Sequence, residues 1–514
     1  NLNRVQKNGS PPFSMKTRFS KRRKLREEAT HLSAGGDEAI SNLPDAVLHR
    51  ILSLLPINSI AQTALLSKRW RDLWSSIPDL DFTTLPPKDS QNLGFLLRIL
   101  AHRDRTSGLR SLKLRHPLTF SQLNALIRRA VAHRIQELYI SIATDDTFTL
   151  PRCLFAADSL RILRLASYIS GFRLPPQPLM PWFFGSLRIL SLTFAVFDET
   201  PSLTDASFPV LQQLTLVSCS GLKQLVIGCR ALEDVSVGDC FGLRDLRISG
   251  PRLERLRVVR CFETDGGWSL VKMDCPRLMN LFWESNSITE ETCLENLGAI
   301  HEASIDFFSH SEAPLSPSEL RSVSSFLSGL SHAHRLSLDY RFAEVLSNAE
   351  ASRTYLGGFE CRELFIRISK ENISGLGHVF ESFPMVENLK IMIAALDYKT
   401  DKRERVAGKY GWGCEEERLW ESPSQQLTSF LRHLKVVKYV GALELDGELG
   451  PPKLLLRHGG GLREMILCCG HFCAKRYRRR QKVVADLKGF SWASPDATIS
   501  FCEPSCVFTR WGSS

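Results

Sequence analysis

"LQQLTLVSC" (residues 211–219) is followed at intervals of 21 residues by "LEDVSVGDC" (232–240) and "LERLRVVRC" (253–261). All three fit L-x-x-L-x-L-x-x-C with aliphatic substitutions. Alternation within the first six residues predicts a short strand whose first, fourth and sixth residues turn inward, leaving the third and fifth outward. A unit this small cannot bury its own leucines, but stacked units bury them against one another.

The six-residue phrase recurs along the chain. It starts at 109 (LRSLKL), 135 (IQELYI), 160 (LRILRL) and 187 (LRILSL). Beyond the central three it starts at 278 (LMNLFW), 361 (CRELFI), 386 (VENLKI), 431 (LRHLKV) and 462 (LREMIL), with weaker copies at 300 (IHEASI) and 333 (AHRLSL). From 109 to 278 the intervals are 26, 25, 27, 24, 21, 21 and 25 residues, within the range of leucine-rich repeats. The predicted fold class is α/β: a curved leucine-rich-repeat solenoid with parallel short strands on its concave face, preceded by a small three-helix bundle. Cys219, Cys240 and Cys261 fall where a small, weakly polar side chain turns inward against the loop backbone, and a structural role is predicted for them.

Composition narrows the function. The 514 residues are 43% hydrophobic, ordinary for a chain with a large core. No apolar run is long enough to span a bilayer, so no membrane partner is expected. The chain begins at Asn1 rather than methionine, so a preceding segment is expected. The net charge of +11 is local: residues 1–40 carry nine Lys/Arg against four Asp/Glu, and "KRYRRRQK" (475–482) supplies the rest. With the remainder neutral, a nucleic-acid-binding body is not expected. Fourteen scattered cysteines in so long a chain read as reduced and intracellular, in nucleus or cytoplasm. "KRRK" (21–24) fits a nuclear import signal and, equally, a disordered basic tail.

Residues 41–82 stand apart from the repeats. Pro44 and Asp45 suit the start of a helix that ends before Pro56. Asn58 is predicted to cap a second helix and Ser67 a third, which carries Trp70, Leu73 and Trp74. The first helix has too many apolar residues for a small bundle. Val47, Ile51 and Leu54 supply one buried stripe, and Leu48, Leu52 and Leu55 form another beside it. The surplus belongs either to a partner or to the solenoid that this bundle caps.

The segment resembles an F-box through Leu43-Pro44, Val47-Leu48, Ile51-Leu52 and Leu55-Pro56, then "LLSKRWRDLW" and "IPDLDF". The resemblance implies docking on the Skp-type adaptor of a cullin–RING ubiquitin ligase. Leu43, Pro44, Val47, Ile51, Leu52, Leu55 and Pro56 would touch the adaptor, with Trp70, Leu73 and Trp74 bracing the bundle and contributing at its edge. Residues 431–467 and "LKGFSWASPDATISF" (487–501) resemble the plant FBD region. The whole is identified as similar to plant F-box/FBD/leucine-rich-repeat proteins. The implied division is a basic arm (1–40), the F-box (41–82), a helical linker (83–108), the solenoid (109–395), a charged surface insertion (396–426) and an FBD-like region continuing or capping the solenoid (427–514).

No motif announces catalysis. Gly-rich phosphate loops, G-x-S-x-G and H-E-x-x-H are absent. "LCCGHFC" (467–473) gathers Cys468, Cys469, His471 and Cys473, with Cys502 and Cys506 further on, but without the two spaced pairs of a zinc site. Buried or idle thiols are expected, with no metal and no cofactor. The resemblance implies a non-enzymatic substrate receptor whose target is selected by the outward residues Lys113, Tyr139, Arg164, Arg255, Arg257, Phe282, Phe365, Lys390 and Lys435. Basic and aromatic groups together suit an acidic or phosphorylated segment with a hydrophobic anchor. A repeat scaffold with no ubiquitin role is the other reading the residues allow.

Overall fold

The computed structural model describes residues 43–63, 67–83, 100, 103, 107–115, 118–143, 147–168, 171–174, 183–198, 201–263, 267–308, 315–347, 358–368, 373, 375–393, 420–441, 449–469 and 476–502. The arm at 1–40 and most of the proposed linker and insertion lie outside these residues.

Three short helices open the described chain: α1 (Asp45–Leu52), α2 (Ile57–Thr63) and α3 (Lys68–Ser75). Pro44 sits just before α1, and its carbonyl accepts the Val47 and Leu48 N–H groups. Asp45 complements the positive helix end and pairs with Arg69 at 2.6 Å, clamping α1 to α3. Ser67 Oγ accepts the Trp70 N–H, capping α3. The start of α2 falls one residue before the position expected for Asn58 as its cap. Helix α2 already starts at Ile57, and the Pro56 carbonyl accepts from Ser59 and Ile60, leaving Asn58 within the first turn.

The "DLD" of the F-box tail forms β1 (Asp79–Asp81), the first strand of a sixteen-stranded parallel sheet. It continues through β2 (Ser111–Arg115), β3 (Glu137–Ile142), β4 (Ile162–Ser167), β5 (Ile189–Thr193) and β6 (Gln213–Val217). Next come β7 (Asp234–Gly238), β8 (Arg255–Val259), β9 (Asn280–Asn286), β10 (Glu302–Phe307) and β11 (Arg335–Leu338). The last five are β12 (Glu363–Ile368), β13 (Asn388–Ile393), β14 (Val436–Gly441), β15 (Glu464–Cys469) and β16 (Thr498–Cys502). A strand begins at the third residue of every phrase read from the sequence except that at 431, where it begins three residues late.

What backs this sheet changes along the chain. Helix α4 (Phe120–Ala132) lies between β2 and β3. Strands instead back the middle: Ser202–Thr204, Gln224–Gly228, Asp245–Ser249, Leu270–Asp274 and Glu291–Glu295 form a second parallel sheet. Helices return as α5 (Pro317–Gly329), α6 (Tyr340–Ser347), α7 (Leu376–Glu381), α8 (Gln425–His433), α9 (Gly450–His458) and α10 (Arg476–Lys488). Trp420, assigned from sequence to a surface insertion, is 1% exposed and packs edge-on against Phe380.

The core follows the phrase. Leu211, Leu214 and Leu216 are buried, as are Leu232, Val235 and Val237, and Leu253, Leu256 and Val258. Full burial of each such side chain stabilises by about 2 kcal/mol. The eighth residue of the central phrases takes a left-handed conformation, at Phe194, Ser218, Asp239, Arg260 and Ser285, and swings the ninth inward. There the Cys219, Cys240 and Cys261 thiols point at carbonyls of the preceding repeat, those of Leu192, Leu216 and Val237. Hydrogen bonding to Cys240, then burial, pushes the Cys219 and Cys261 thiols far up. Asn286 fills the equivalent place with stronger bonds. Its Oδ1 accepts from the Cys261 and Phe262 N–H groups, and its Nδ2 donates to the Val258 carbonyl at 2.9 Å.

One cysteine pair departs from the expectation of reduced thiols. Cys468 and Cys502 stand opposite each other on β15 and β16 and are disulfide-bonded, with Cα atoms 5.1 Å apart.

Candidate functional site

Two surfaces stand out, one on the bundle and one on the sheet. On α1, Leu48 and Leu52 are fully buried, while Val47 (42% exposed) and Ile51, and Leu54 (75% exposed) and Leu55 just beyond its end, face solvent. This reverses the expectation that Val47, Ile51 and Leu54 form the inner stripe. It also removes Leu52 from the candidate adaptor contacts, since its side chain is spent on the bundle's own core. His49 links α1 to the end of α3 through the Leu73 carbonyl and the Ser76 hydroxyl. Pro44 and Pro56 are exposed, and Leu43, Trp70 and Trp74 are partly buried against the core. Leu73 is buried. Leu43, Pro44, Val47, Ile51, Leu55 and Pro56 thus keep accessible surface beside a satisfied interior.

On the sheet, the fifth phrase residues stand in register. Lys113, Tyr139 and Arg164 are neighbours on β2–β4. Lys113 Nζ lies 5.4 Å and the Arg164 guanidinium 5.7 Å from the Tyr139 ring centroid, so a cation flanks the ring on each neighbouring strand. Ser191, Thr215 and Ser236 continue the row, separating this cluster from the rest of the expected site. Arg257 then lies over Phe282 and Lys390 over Phe365.

Three expectations for this face need correction. Arg255 and Arg257 are already ion-paired, with Asp234 and Glu284 at 2.9 Å each, so their charge is largely neutralised. Lys390 is only 3% exposed. Burial, then repulsion from Lys438 and Arg367, lowers its pKa to about 8. Lys435 does not lie in the row, because the strand begins at Val436 and Lys438 pairs in register with Lys390. Lys435 instead sits just before the strand and pairs with Glu387 at 2.5 Å.

A hollow of 310 Å³ opens where the row narrows to Ser304 and Ser337, between β9 and β13. Its walls include Phe365 and the Arg335–Glu363 and Arg367–Asp306 pairs, each at 2.9 Å. Asp339 lines it too, fully buried and accepting the Phe307, Arg341 and Phe342 N–H groups. Burial raises its pKa from 3.8 to about 7. Because the folded state holds this proton more tightly than the unfolded chain, stability rises as pH falls through 7 and levels off below 3.8. Between pH 8 and pH 5 the wild type is expected to gain about 2–3 kcal/mol that Asp339→Asn does not gain, read from urea melts of both. Equal pH dependence in the two proteins would refute the assignment.

Cys468, from the cysteine-rich patch, is consumed by its disulfide, while His471, Cys473 and Cys506 lie outside the described residues. Among the described residues no His/Cys/Asp/Glu group is arranged to hold a metal ion.

Residues 40–81 match the F-box domain. Residues 168–304 match the family described as "FBD-associated F-box protein At5g56370, LRR repeats". The putative F-box/FBD/LRR-repeat protein At4g03220 of Arabidopsis thaliana is 38% identical over 479 residues, covering 90% of this chain and 95% of that protein. The chain belongs to the F-box/FBD/LRR-repeat family. A second Arabidopsis relative, F-box/FBD/LRR-repeat protein At3g26920, is 25% identical across 91% of this chain and 97% of its own length. The FBD-associated F-box protein At4g13985 is likewise 25% identical, over 92% and 98%.

Two features of this F-box/FBD/LRR-repeat chain lie outside the phrases and positions singled out from the sequence. The second sheet was written in the sequence as "LKQLVI" (222–227) and "LRDLRI" (243–248), further copies of the same phrase between the first. Asn286 was likewise legible as the ninth residue of "LMNLFWESN" (278–286).

Proposed function

We propose that this F-box/FBD/LRR-repeat protein is the substrate-receptor subunit of an SCF-type ubiquitin ligase. The F-box bundle docks on the Skp-type adaptor, and through it on the cullin–RING assembly, while the concave sheet face holds a protein target. The observation that carries this reading is the apolar strip left on α1 and the turn after it once the bundle has filled its own core: Val47, Ile51, Leu54 and Leu55, flanked by Pro44 and Pro56. An exposed strip on so small a bundle marks an interaction site. No side chain of the receptor needs to react. Holding a target lysine beside the ligase's charged carrier raises its effective concentration, and proximity supplies the rate.

The test is co-purification of the full chain with a plant Skp-type adaptor. Val47→Asp/Ile51→Asp, which alters only exposed side chains, is expected to weaken capture by about 100-fold or more while leaving thermal unfolding unchanged. Arg255→Ala, on the far sheet, is expected to leave capture intact. A folded wild type that captures no adaptor would refute the ligase reading and leave an assembly scaffold.

A further inference from the structure

The cations of the concave side fall into two zones. From β7 to β12 the cations on the strands and the turn after β8 are matched, Arg255 with Asp234, Arg257 with Glu284, Arg260 with Asp239, Arg335 with Glu363 and Arg367 with Asp306, while Arg362, exposed just before β12, forms no ion pair among the described residues. From β2 to β5 the picture changes. Lys113, Arg115 and Arg164 lie on the sheet face, and exposed Arg161 and Arg188 stand just before β4 and β5 at one edge. Among the described residues none of these five forms an ion pair. The zone holds three carboxylates: Asp79 is already ion-paired with Arg110 just before β2, Asp81 accepts two hydrogen bonds from Thr83, and Glu137 stands beside Tyr139 on β3.

Tyr139 stands at the centre of this zone between Lys113 and Arg164. Beside it Tyr168, 56% exposed, accepts a hydrogen bond from Ser141. Cations without carboxylate partners around exposed aromatic rings form a surface that gains charge-assisted hydrogen bonds and ring contacts only when an anionic, partly apolar ligand arrives. The size of that ligand is bounded. Four strands at about 4.8 Å spacing span about 14 Å, the length of about four residues of extended chain. Beyond it Glu233, Asp234 and Glu254 stand where a longer polyanion would continue.

We infer that β2–β5, the end of the solenoid nearest the F-box, is the anchor for a short acidic polypeptide segment carrying an aromatic side chain. The inference rests on the receptor reading above and places target capture at one end of the concave face. The acidic run spans the cations of β2–β5 while its aromatic ring lies against Tyr139 or Tyr168. The matched pairs of β7–β12 then supply shape and hydrogen bonds rather than net charge, which also explains why a short segment is selected over a long polyanion such as nucleic acid.

The test uses the full chain and a fluorescent peptide of four glutamates flanking one phenylalanine, followed by anisotropy. Binding is expected in low salt and weakens as salt rises. Lys113→Glu/Arg164→Glu is expected to lower affinity by about tenfold or more, and Arg255→Glu/Arg257→Glu by less than about twofold. Lys113→Gln/Arg164→Gln, with the milder change, guards against a folding defect and is expected to give an intermediate loss. The glutamine version of the peptide and a single-stranded oligonucleotide of equal charge are expected to bind more weakly than the glutamate peptide. Equal losses from the two charge-reversal variants, tighter binding of the oligonucleotide, or no peptide binding would each overturn the inference. Adaptor capture by the same preparations is read separately. Peptide binding without adaptor capture sinks the ligase reading alone, and the converse sinks the anchor alone.

Discussion

Asn286→Leu is expected to destabilise the solenoid by about 4 kcal/mol, since each buried backbone group left without a partner costs about 1–3 kcal/mol. Asn286 is fully buried and serves three such groups: the Cys261 and Phe262 N–H groups and the Val258 carbonyl. Leucine has similar bulk and no polar atom, so no water-filled cavity replaces the lost bonds. Cys240→Ala at the equivalent place removes weak thiol bonds, to the Leu216 and Gly238 carbonyls and to the neighbouring Cys219 and Cys261, and is expected to cost about 1 kcal/mol. Urea unfolding of the two variants checks the ratio. A loss at Asn286 no larger than that at Cys240 would show that the asparagine bonds are not a keystone of the repeat. The damage should also be local: hydrogen exchange is expected to quicken first at Cys261 and Phe262.

The second large effect lies at the joint between bundle and sheet. Arg103 is 4% exposed, and its guanidinium donates to the Ile77 carbonyl at 2.5 Å, the Gly108 carbonyl at 2.8 Å and the Ser107 carbonyl at 3.3 Å. One cation thus ties the F-box tail to the entry of β2. Arg103→Leu is expected to cost about 3–5 kcal/mol at this joint, because charge-assisted bonds to buried carbonyls are lost together. Limited proteolysis is expected to separate bundle from sheet faster in the variant, while α1 keeps its exposed apolar surface. On the receptor reading proposed above, the expected consequence is that adaptor capture is retained while modification of a bound target is impaired, because the target is no longer held in one place. Unchanged proteolysis would show that other contacts hold the joint.

The sequence made the sheet legible because inward leucines recur with a fixed strand offset, and no helix competes for them in the central repeats. It misled where a residue fits two periods. Leu431 fits the strand phrase, yet with Leu427 and Phe430 it completes the buried stripe of α8, and the helix claims it. Leu434 is then the true first residue of β14's phrase, which is why Lys435 was misplaced and Lys438 missed. On α1 both stripes are apolar, so spacing alone had no means of choosing the buried one; that choice is made by packing within the bundle. The charge of the concave face was legible residue by residue but not in sum. The partners of Arg255 and Arg257 lie 21 and 27 residues away and meet them only across strands. Asp339 gave no local sign of its burial, which arises from packing between β10 and α6.

The change of backing along the solenoid sets its mechanics. Where helices about 10 Å across stack behind strands about 4.8 Å apart, the outer layer is the longer one and the sheet must bend around the inner face. Between β6 and β9 both layers are strands with the same spacing, so that stretch is expected to run nearly straight. Growth of the chain therefore has two different geometric outcomes. One more 21-residue unit among the strand-backed repeats would slide everything beyond it along the axis by a single strand spacing, like a step on a ruler. One more helix-backed unit would swing the far end through an arc. A lineage of such proteins can thus adjust reach and aim separately, by choosing which kind of unit it duplicates.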